Sequence, residues 1–231
     1  QLAAIRDYYE CTFLKSTAWS LLHPHALMYM RQRQRRIRDG LATLDLADPA
    51  KIGEIDVLDV GCGPGGNLAW VAELGADPKR CVGIDLVPSR IEGARSRNSN
   101  MRWIAGDLLT ADIGGEFDYI MLLAVLTSIT DDGLKKALIA RCFELLKPGG
   151  GLLFYDLMCR RPHPGNDHYK MLTYEEAEGY FGGRETRWWR RDYLRADRAK
   201  RWVPKYGLPV AELAQAIGWW NIEASFALVR K

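Results

Sequence analysis

Apolar and polar positions change rhythm twice along this chain. Over residues 1–50 the apolar side chains recur at helix spacing, across 7–19 and again across 26–46, with His23-Pro24-His25 as the break between them. From Glu54 onward short apolar runs take over. Residues 55–60, 81–86, 101–105, 117–123 and 151–155 each read as a strand. Between them, 67–74, 88–97 and 131–146 read as helices, the last stopped by Lys147-Pro148-Gly149-Gly150. Strands alternating with helices predict an α/β fold, an open and mostly parallel sheet covered on both faces. After Asp156 the alternation stops. A polar loop spans 160–168, a short helix opened by Thr173 spans 174–181, and another covers 210–217, while 186–194 and 225–230 read as a strand pair. No repeat, low-complexity tract or linker divides the chain, so one domain is expected.

Composition narrows the class. At 231 residues, 48% hydrophobic and 26% charged, the chain has the profile of a globular protein, which excludes a wholly disordered chain, a collagen-like fibre or a coiled-coil rod. The longest uncharged apolar run, 119–130, falls short of the roughly 20 residues of a membrane helix. No signal segment opens the sequence, and Gln1 in place of Met fits a trimmed start or a piece of something longer. The five cysteines are odd in number and lack CxxC spacing, which argues against a disulfide framework or a zinc site and for a reducing cytoplasm. A formal charge of +3 is mild but uneven. Arg31, Arg33, Arg35, Arg36 and Arg38 crowd one stretch; in another, eight Lys/Arg between Arg184 and Arg201 face only Glu185, Asp192 and Asp197. Each is either a solvated face or a surface for an anionic partner: phosphate, nucleic acid or lipid.

The chemistry concentrates at strand ends. Gly61, Gly63 and Gly66 form a Gly-x-Gly-x-x-Gly loop between the first strand and its helix, which by itself fits a dinucleotide site. Asp59, two residues before that loop, argues otherwise, because a carboxylate there repels a pyrophosphate and attracts an ammonium group. Asp85 ends the second strand, 22 residues after Gly63, where a carboxylate accepts from ribose hydroxyls. Asp107 ends the third, suited to an exocyclic adenine amine, with the Leu108 N–H able to donate to the ring. Three acids at adjacent strand ends describe an adenosine that carries an amino acid, the shape of S-adenosylmethionine.

The series Val57-Leu58-Asp59-Val60-Gly61-Cys62-Gly63-Pro64-Gly65, Gly83-Ile84-Asp85, Gly106-Asp107, Phe117-Asp118-Tyr119-Ile120 and Leu145-Leu146-Lys147-Pro148-Gly149-Gly150 resembles, in order and spacing, the motifs of the class I S-adenosylmethionine-dependent methyltransferases. The resemblance covers 54–156. It implies a Rossmann-like seven-stranded sheet whose last strand, 225–230, runs antiparallel. It also implies that Asp59 and the loop Gly61, Cys62, Gly63 and Gly66 hold the methionine end, that Asp85 and neighbouring Leu86 meet the ribose, and that Asp107 and Leu108 meet the adenine. A narrower resemblance, carried by residues 23–32, 126–132, 155–156 and 226–231, is to a bacterial branch associated with polysaccharide or natural-product biosynthesis. The chain then divides into a helical N-terminal lid (1–50), a cofactor-binding core (54–156) and an acceptor-side elaboration with C-terminal strands (157–231).

Absences refine the reaction. No Asp/Asn-Pro-Pro-Tyr/Phe or Pro-Cys motif of the nucleic-acid enzymes follows the fourth strand; Ala124-Val125-Leu126-Thr127 stands there, and a nucleic-acid partner is not expected. Asp156 and Asp167 are too few acids for a catechol-type metal site, so a metal-independent reaction is expected. A hydroxyl acceptor must lose a proton, which makes Asp156, His163 and His168 the candidate bases, with His23 and His25 as turn or cap residues. If the N-terminal helices close as a lid, Tyr9, His23 or Arg31 closes on the cofactor, and Arg31 or Gln32 meets the methionine carboxylate. Trp188 and Trp189, interleaved with arginines, would point one inward and one outward on a strand. The reading is methyl transfer to a small-molecule or glycan acceptor, most simply a sugar hydroxyl. The alternatives are an RNA methyltransferase gripping phosphates with its basic stretches, and a catalytically silent cofactor-binding domain. Whether the chain is a module of a larger protein or forms a homo-oligomer is left open.

Overall fold

The computed structural model describes residues 1–13, 20–162, 165–166 and 168–231. Ten strands are described: β1 (Val57–Val60), β2 (Cys81–Asp85), β3 (Arg102–Ala105), β4 (Phe117–Leu123), β5 (Leu146–Cys159), β6 (Leu172–Thr173), β7 (Thr186–Trp189), β8 (Tyr193–Leu194), β9 (Asn221–Ile222) and β10 (Ala224–Arg230). The α-helices are α1 (Leu2–Tyr8), α2 (Pro24–Thr43), α3 (Gly66–Glu73), α4 (Pro88–Arg97), α5 (Asp132–Leu145), α6 (Tyr174–Phe181), α7 (Ala196–Tyr206) and α8 (Leu208–Ile217).

Seven strands form the central sheet in the order β3-β2-β1-β4-β5-β10-β7. The first five are parallel, and β10 runs antiparallel to both β5 and β7. The order reverses beside β1, the place where open α/β sheets bind ligands at the carboxyl ends of their strands. β1 is buried along its whole length, as an interior parallel strand must be. Val57 faces an apolar layer built by α2, α3, α4, α7 and α8, while Leu58 and Val60 face α5 and α6. Close approach fixes α2 on the first layer: the Tyr119 hydroxyl donates to the Ile37 carbonyl at 3.1 Å, and a Cβ on Gly40 would strike that hydroxyl.

Local signals explain the element ends. Pro88 opens α4 without losing a helical hydrogen bond. The Asp131 side chain caps α5, accepting from Leu134 N at 2.7 Å. Thr173 and Glu176 form a reciprocal capping box on α6. The antiparallel C-terminal strand was expected. Three details differ from expectation. β5 extends at both ends, because pairing with β4, β6 and β10 continues beyond the apolar stretch. Residues 186–189 pair with β10 as expected, but that strand stops there, and Tyr193–Leu194 pair instead with β9. Trp188 and Trp189 do lie on opposite faces, but both faces are covered: Trp188 packs with Phe154 and Phe181, Trp189 with the opposite layer.

Candidate active site

At the carboxyl ends of β1, β2, β3 and β4 lies a cavity that opens to solvent. Its floor and walls come from Val60, Gly61, Asp85, Leu86, Asp107, Leu108, Ala124 and Val125, and α1 with Tyr9 roofs it. Gly61 holds φ at +68°, and a Cβ there would sit 2.6 Å from a Val125 methyl, so the loop needs glycine at this point. Ala124 adopts a left-handed φ of +61°, unusual for a residue with a Cβ, and lines the same cavity.

The acids differ in what they already hold. Asp85 is buried and accepts from Gly63 N at 2.8 Å and Val87 N at 2.9 Å, one bond to each oxygen, which leaves acceptor capacity on both. This ties the glycine loop to the end of β2. Asp107 uses one oxygen to accept from Leu109 N at 3.1 Å. Asp59 is fully buried but does not line the cavity; it lies on the α2–α3 side of β1, where its Oδ2 accepts from Asn67 Nδ2 at 3.2 Å. Its Oδ1 is enclosed and has no hydrogen-bond partner. Burial pushes its pKa up to about 7 against the opposing influence of Asn67 and the Arg33 charge. Cys62, Gly63 and Gly66 also lie off the cavity wall, and burial pushes the Cys62 thiol up.

The lid is built differently from expectation. The Tyr9 hydroxyl shares a 2.6 Å hydrogen bond with Ser128, the Arg90 guanidinium lies 4.4 Å from the Tyr9 ring centre, and Gln1 reaches Thr130 and Asp131. α1 is thereby clasped to the loop after β4. Tyr9 starts a short π-helical turn over Tyr9–Phe13, which turns its ring toward the cavity. His23 and His25 stand off this lid, stacked on each other at the start of α2 with ring centres 5.5 Å apart. Arg31 also points away and pairs with Glu212 of α8 at 3.2 Å, and the Gln32 side-chain oxygen accepts from Arg35. The cation that α2 turns toward Asp59 is Arg33. Burial works to lower its pKa, but the neighbouring Tyr193, Tyr155 and Asp59 more than offset it, and its Nε is enclosed without a partner. Sequence reasoning missed it because helical periodicity gives three arginines within one turn and no side-chain direction.

Asp156 is buried with its carboxylate fully used. It accepts from Thr127 N at 3.0 Å, from the Thr127 hydroxyl and from Leu157 N at 2.9 Å, bonds that tie the loop after β4 to β5. Burial raises its pKa while those bonds oppose the rise. Those bonds make it an anchor of that loop. His168 is exposed and stacks on Tyr8, ring centres 5.0 Å apart, in a small recess that shares Ile5, Tyr9 and Ser128 with the main cavity. His163 and Asp167 lie outside the described residues. The basic stretches are largely committed within the fold: Arg36 makes a two-pronged pair with Asp192 at 2.6 Å, Arg184 lies on the Phe143 ring, and Arg190, Arg191 and Arg195 pair with Glu178, Glu223 and Asp197. That removes most of the side chains a phosphate grip would need.

Comparison with known proteins agrees with this geometry. Residues 57–150 match a family described as a methyltransferase domain. The chain is similar to a ubiquinone biosynthesis O-methyltransferase of Psychrobacter cryohalolentis, 30% identical over 146 residues that cover 59% of this chain and 54% of that protein. It is also similar to a trans-aconitate 2-methyltransferase of Azoarcus, 31% identical over 126 residues, or 54% and 46% of the two chains. The chain thus spans about half the length of these curated relatives. Among solved structures, magnesium protoporphyrin IX methyltransferase of Synechocystis with bound S-adenosylmethionine shares the fold, at a TM-score of 0.66 and 16% identity over 100% of this chain and 97% of that one.

Proposed function

We propose that this chain, a class I S-adenosylmethionine-dependent methyltransferase by its matched domain and its fold, methylates an oxygen of a small-molecule acceptor, with a sugar hydroxyl as the acceptor to test first. The observation that carries the cofactor reading is Asp59 Oδ1, a buried carboxylate oxygen without a partner beside a half-buried cation and a cavity edged by two further acids. Buried polar atoms are almost always hydrogen-bonded, so an orphan at a strand end is a place built for a ligand. The donor set fits an amino-acid-bearing adenosine: Asp59 for the ammonium, Arg33 for the carboxylate, Asp85 for the ribose diol, Asp107 and the Leu108 N–H for the adenine, and Leu86, Leu108 and Val125 for the ring faces.

When bound, S-adenosylmethionine supplies an electrophilic methyl whose departure leaves a neutral thioether. Little charge has to be stabilised, so alignment and exclusion of water are the protein's main contributions. Tyr9 and α1 cover the cavity, and the loop anchored by Asp156 fixes its far wall. In this reading 1–50 is the lid, 54–156 the cofactor core and 157–231 the acceptor side. His168 is the described imidazole nearest the cavity, placed to take the proton of a hydroxyl acceptor. The test is methyl transfer from labelled S-adenosylmethionine to a panel of sugars, phenols and carboxylic acids, with His168→Ala alongside. Sugar methylation that falls about a hundredfold in the variant supports the whole reading. Transfer to a carboxylic acid or phenol alone overturns the sugar assignment, and no transfer to any acceptor by protein that binds the cofactor favours a silent domain.

A further inference from the structure

The C-terminal helical pair carries a surface that methyl transfer does not use. α8 buries Ala211 and Ala214 against the fold, while Val210, Leu213 and Ile217 form one outward ridge at helical spacing, with Leu213 62% exposed. Trp219, just past the helix end, is 78% exposed. Isolated exposed apolar residues are ordinary; a ridge of three on one helix face with a tryptophan at its end is not.

The neighbouring helix supplies the charge. The Trp220 ring packs edge-on against Trp202 of α7 at 5.0 Å, and Trp219 lies beside Trp220, which brings the end of α8 to the middle of α7. The outward side of α7 presents Lys200, Arg201 and Lys205. Among the described residues none of these three makes a salt bridge, in contrast to Arg190, Arg191 and Arg195; Lys205 lies 4.9 Å from the Tyr206 ring centre. The two acids of 196–219 are both taken, Asp197 by Arg195 and Glu212 by Arg31. A helix with an apolar ridge thus packs beside one that carries three exposed cations without an acidic partner.

We propose that α7 and α8 form a docking surface for an anionic phospholipid bilayer, with Val210, Leu213, Ile217 and Trp219 entering the interfacial layer and Lys200, Arg201 and Lys205 meeting the headgroups. Apolar and cationic components on one face are what an interfacial helix needs, and each basic residue near an anionic leaflet adds to the attraction. Charge argues against the simplest rival: a twofold contact between copies on this patch would set the two rows of cations close together. A polynucleotide would have use for the cations but not for the ridge. No helix of the described chain is long and apolar enough to cross a membrane, so this is attachment at the surface.

The test is co-sedimentation of the protein with vesicles of phosphatidylcholine alone and with about one third phosphatidylglycerol, at low and raised salt, for wild type, Leu213→Glu/Ile217→Glu and Lys200→Glu/Arg201→Glu/Lys205→Glu. Thermal melts and S-adenosylhomocysteine titration on the same samples confirm that each variant is folded. Expected are binding to anionic vesicles that salt weakens, little binding to phosphatidylcholine, and a loss of about a hundredfold in the charge variant. The apolar variant, which leaves every cation in place, should also lose binding. The proposal is overturned if wild type ignores anionic vesicles at low salt or if Leu213→Glu/Ile217→Glu binds them as well as wild type. It is equally overturned if sedimentation shows a wild-type dimer that the apolar substitutions dissociate.

Discussion

The two halves of the sheet's carboxyl edge treat their acids in opposite ways. On the β1–β3 side, Asp59 has an orphaned oxygen, and Asp85 and Asp107 keep unused acceptor capacity at a cavity wall. On the β5–β10 side the buried carboxylate and hydroxyl are answered from within, although Trp188 Nε1 and Arg191 Nε are enclosed without a hydrogen-bond partner. Asp156 is saturated by Thr127 and Leu157; Ser225 meets Tyr174 and Arg191; Glu223 is shared by Arg160, Tyr174 and Arg191. The same residue type near the end of a strand is therefore left open in one half and is a brace in the other. What separates them is whether the fold supplies the missing partner.

The sharpest way to break that contrast is Asp85→Ala. Removing two charge-assisted bonds to a ligand costs about 3 kcal/mol, so S-adenosylhomocysteine affinity should fall about a hundredfold or more by calorimetry; unchanged affinity would place the cofactor elsewhere. Asp59→Asn comes next, with an expected loss of about tenfold, and it carries a second signature. Because its folded pKa is raised to about 7, the unfolded chain ionises first as pH rises, so Asp59 lowers stability progressively between about pH 4 and 7 and holds it lowered above that. The wild-type melting temperature should fall relative to the variant across this window; parallel curves would contradict a buried, uncompensated carboxylate. A bound ammonium favours the charged form, so cofactor binding near pH 6 should release a proton.

Asp156→Ala tests the other half. It should lower the melting temperature by several degrees, as expected when buried N–H groups lose their acceptor. The pH profile of any transfer activity should keep its shape, and loss of the low-pH limb would restore Asp156 as the base. The smallest effect separates two neighbours: Arg33→Gln should weaken cofactor binding several-fold, while Arg31→Ala should leave it within error.

Much of this was legible in the residues. The apolar runs at β1 to β5 and the acids at the ends of β1, β2 and β3 follow from patterns shorter than ten residues, and the antiparallel last strand follows from the family resemblance. α7 was not legible, because its buried face consists of Ala199 and Val203 with Trp202 beside them, and the rest reads as a basic run. Partnership was not legible either. Nothing local shows that Arg31 answers Glu212 across 181 residues of chain, that Asp156 is filled by Thr127, or that Arg33 is the arginine turned inward. Those are facts of packing between elements distant in sequence, and they decide which acid is a site.

The central claim is that the orphaned and open acids of β1–β3 hold an amino-acid-bearing adenosine. Calorimetric titration of the wild-type chain with S-adenosylhomocysteine, beside NAD and adenosine, tests it most directly. The account predicts saturable one-to-one binding of S-adenosylhomocysteine, weaker binding of adenosine, and none of NAD. NAD binding as tightly as S-adenosylhomocysteine, or adenosine as tightly as the whole molecule, would contradict it: the first returns the glycine loop to a dinucleotide, the second leaves Asp59 without its ligand.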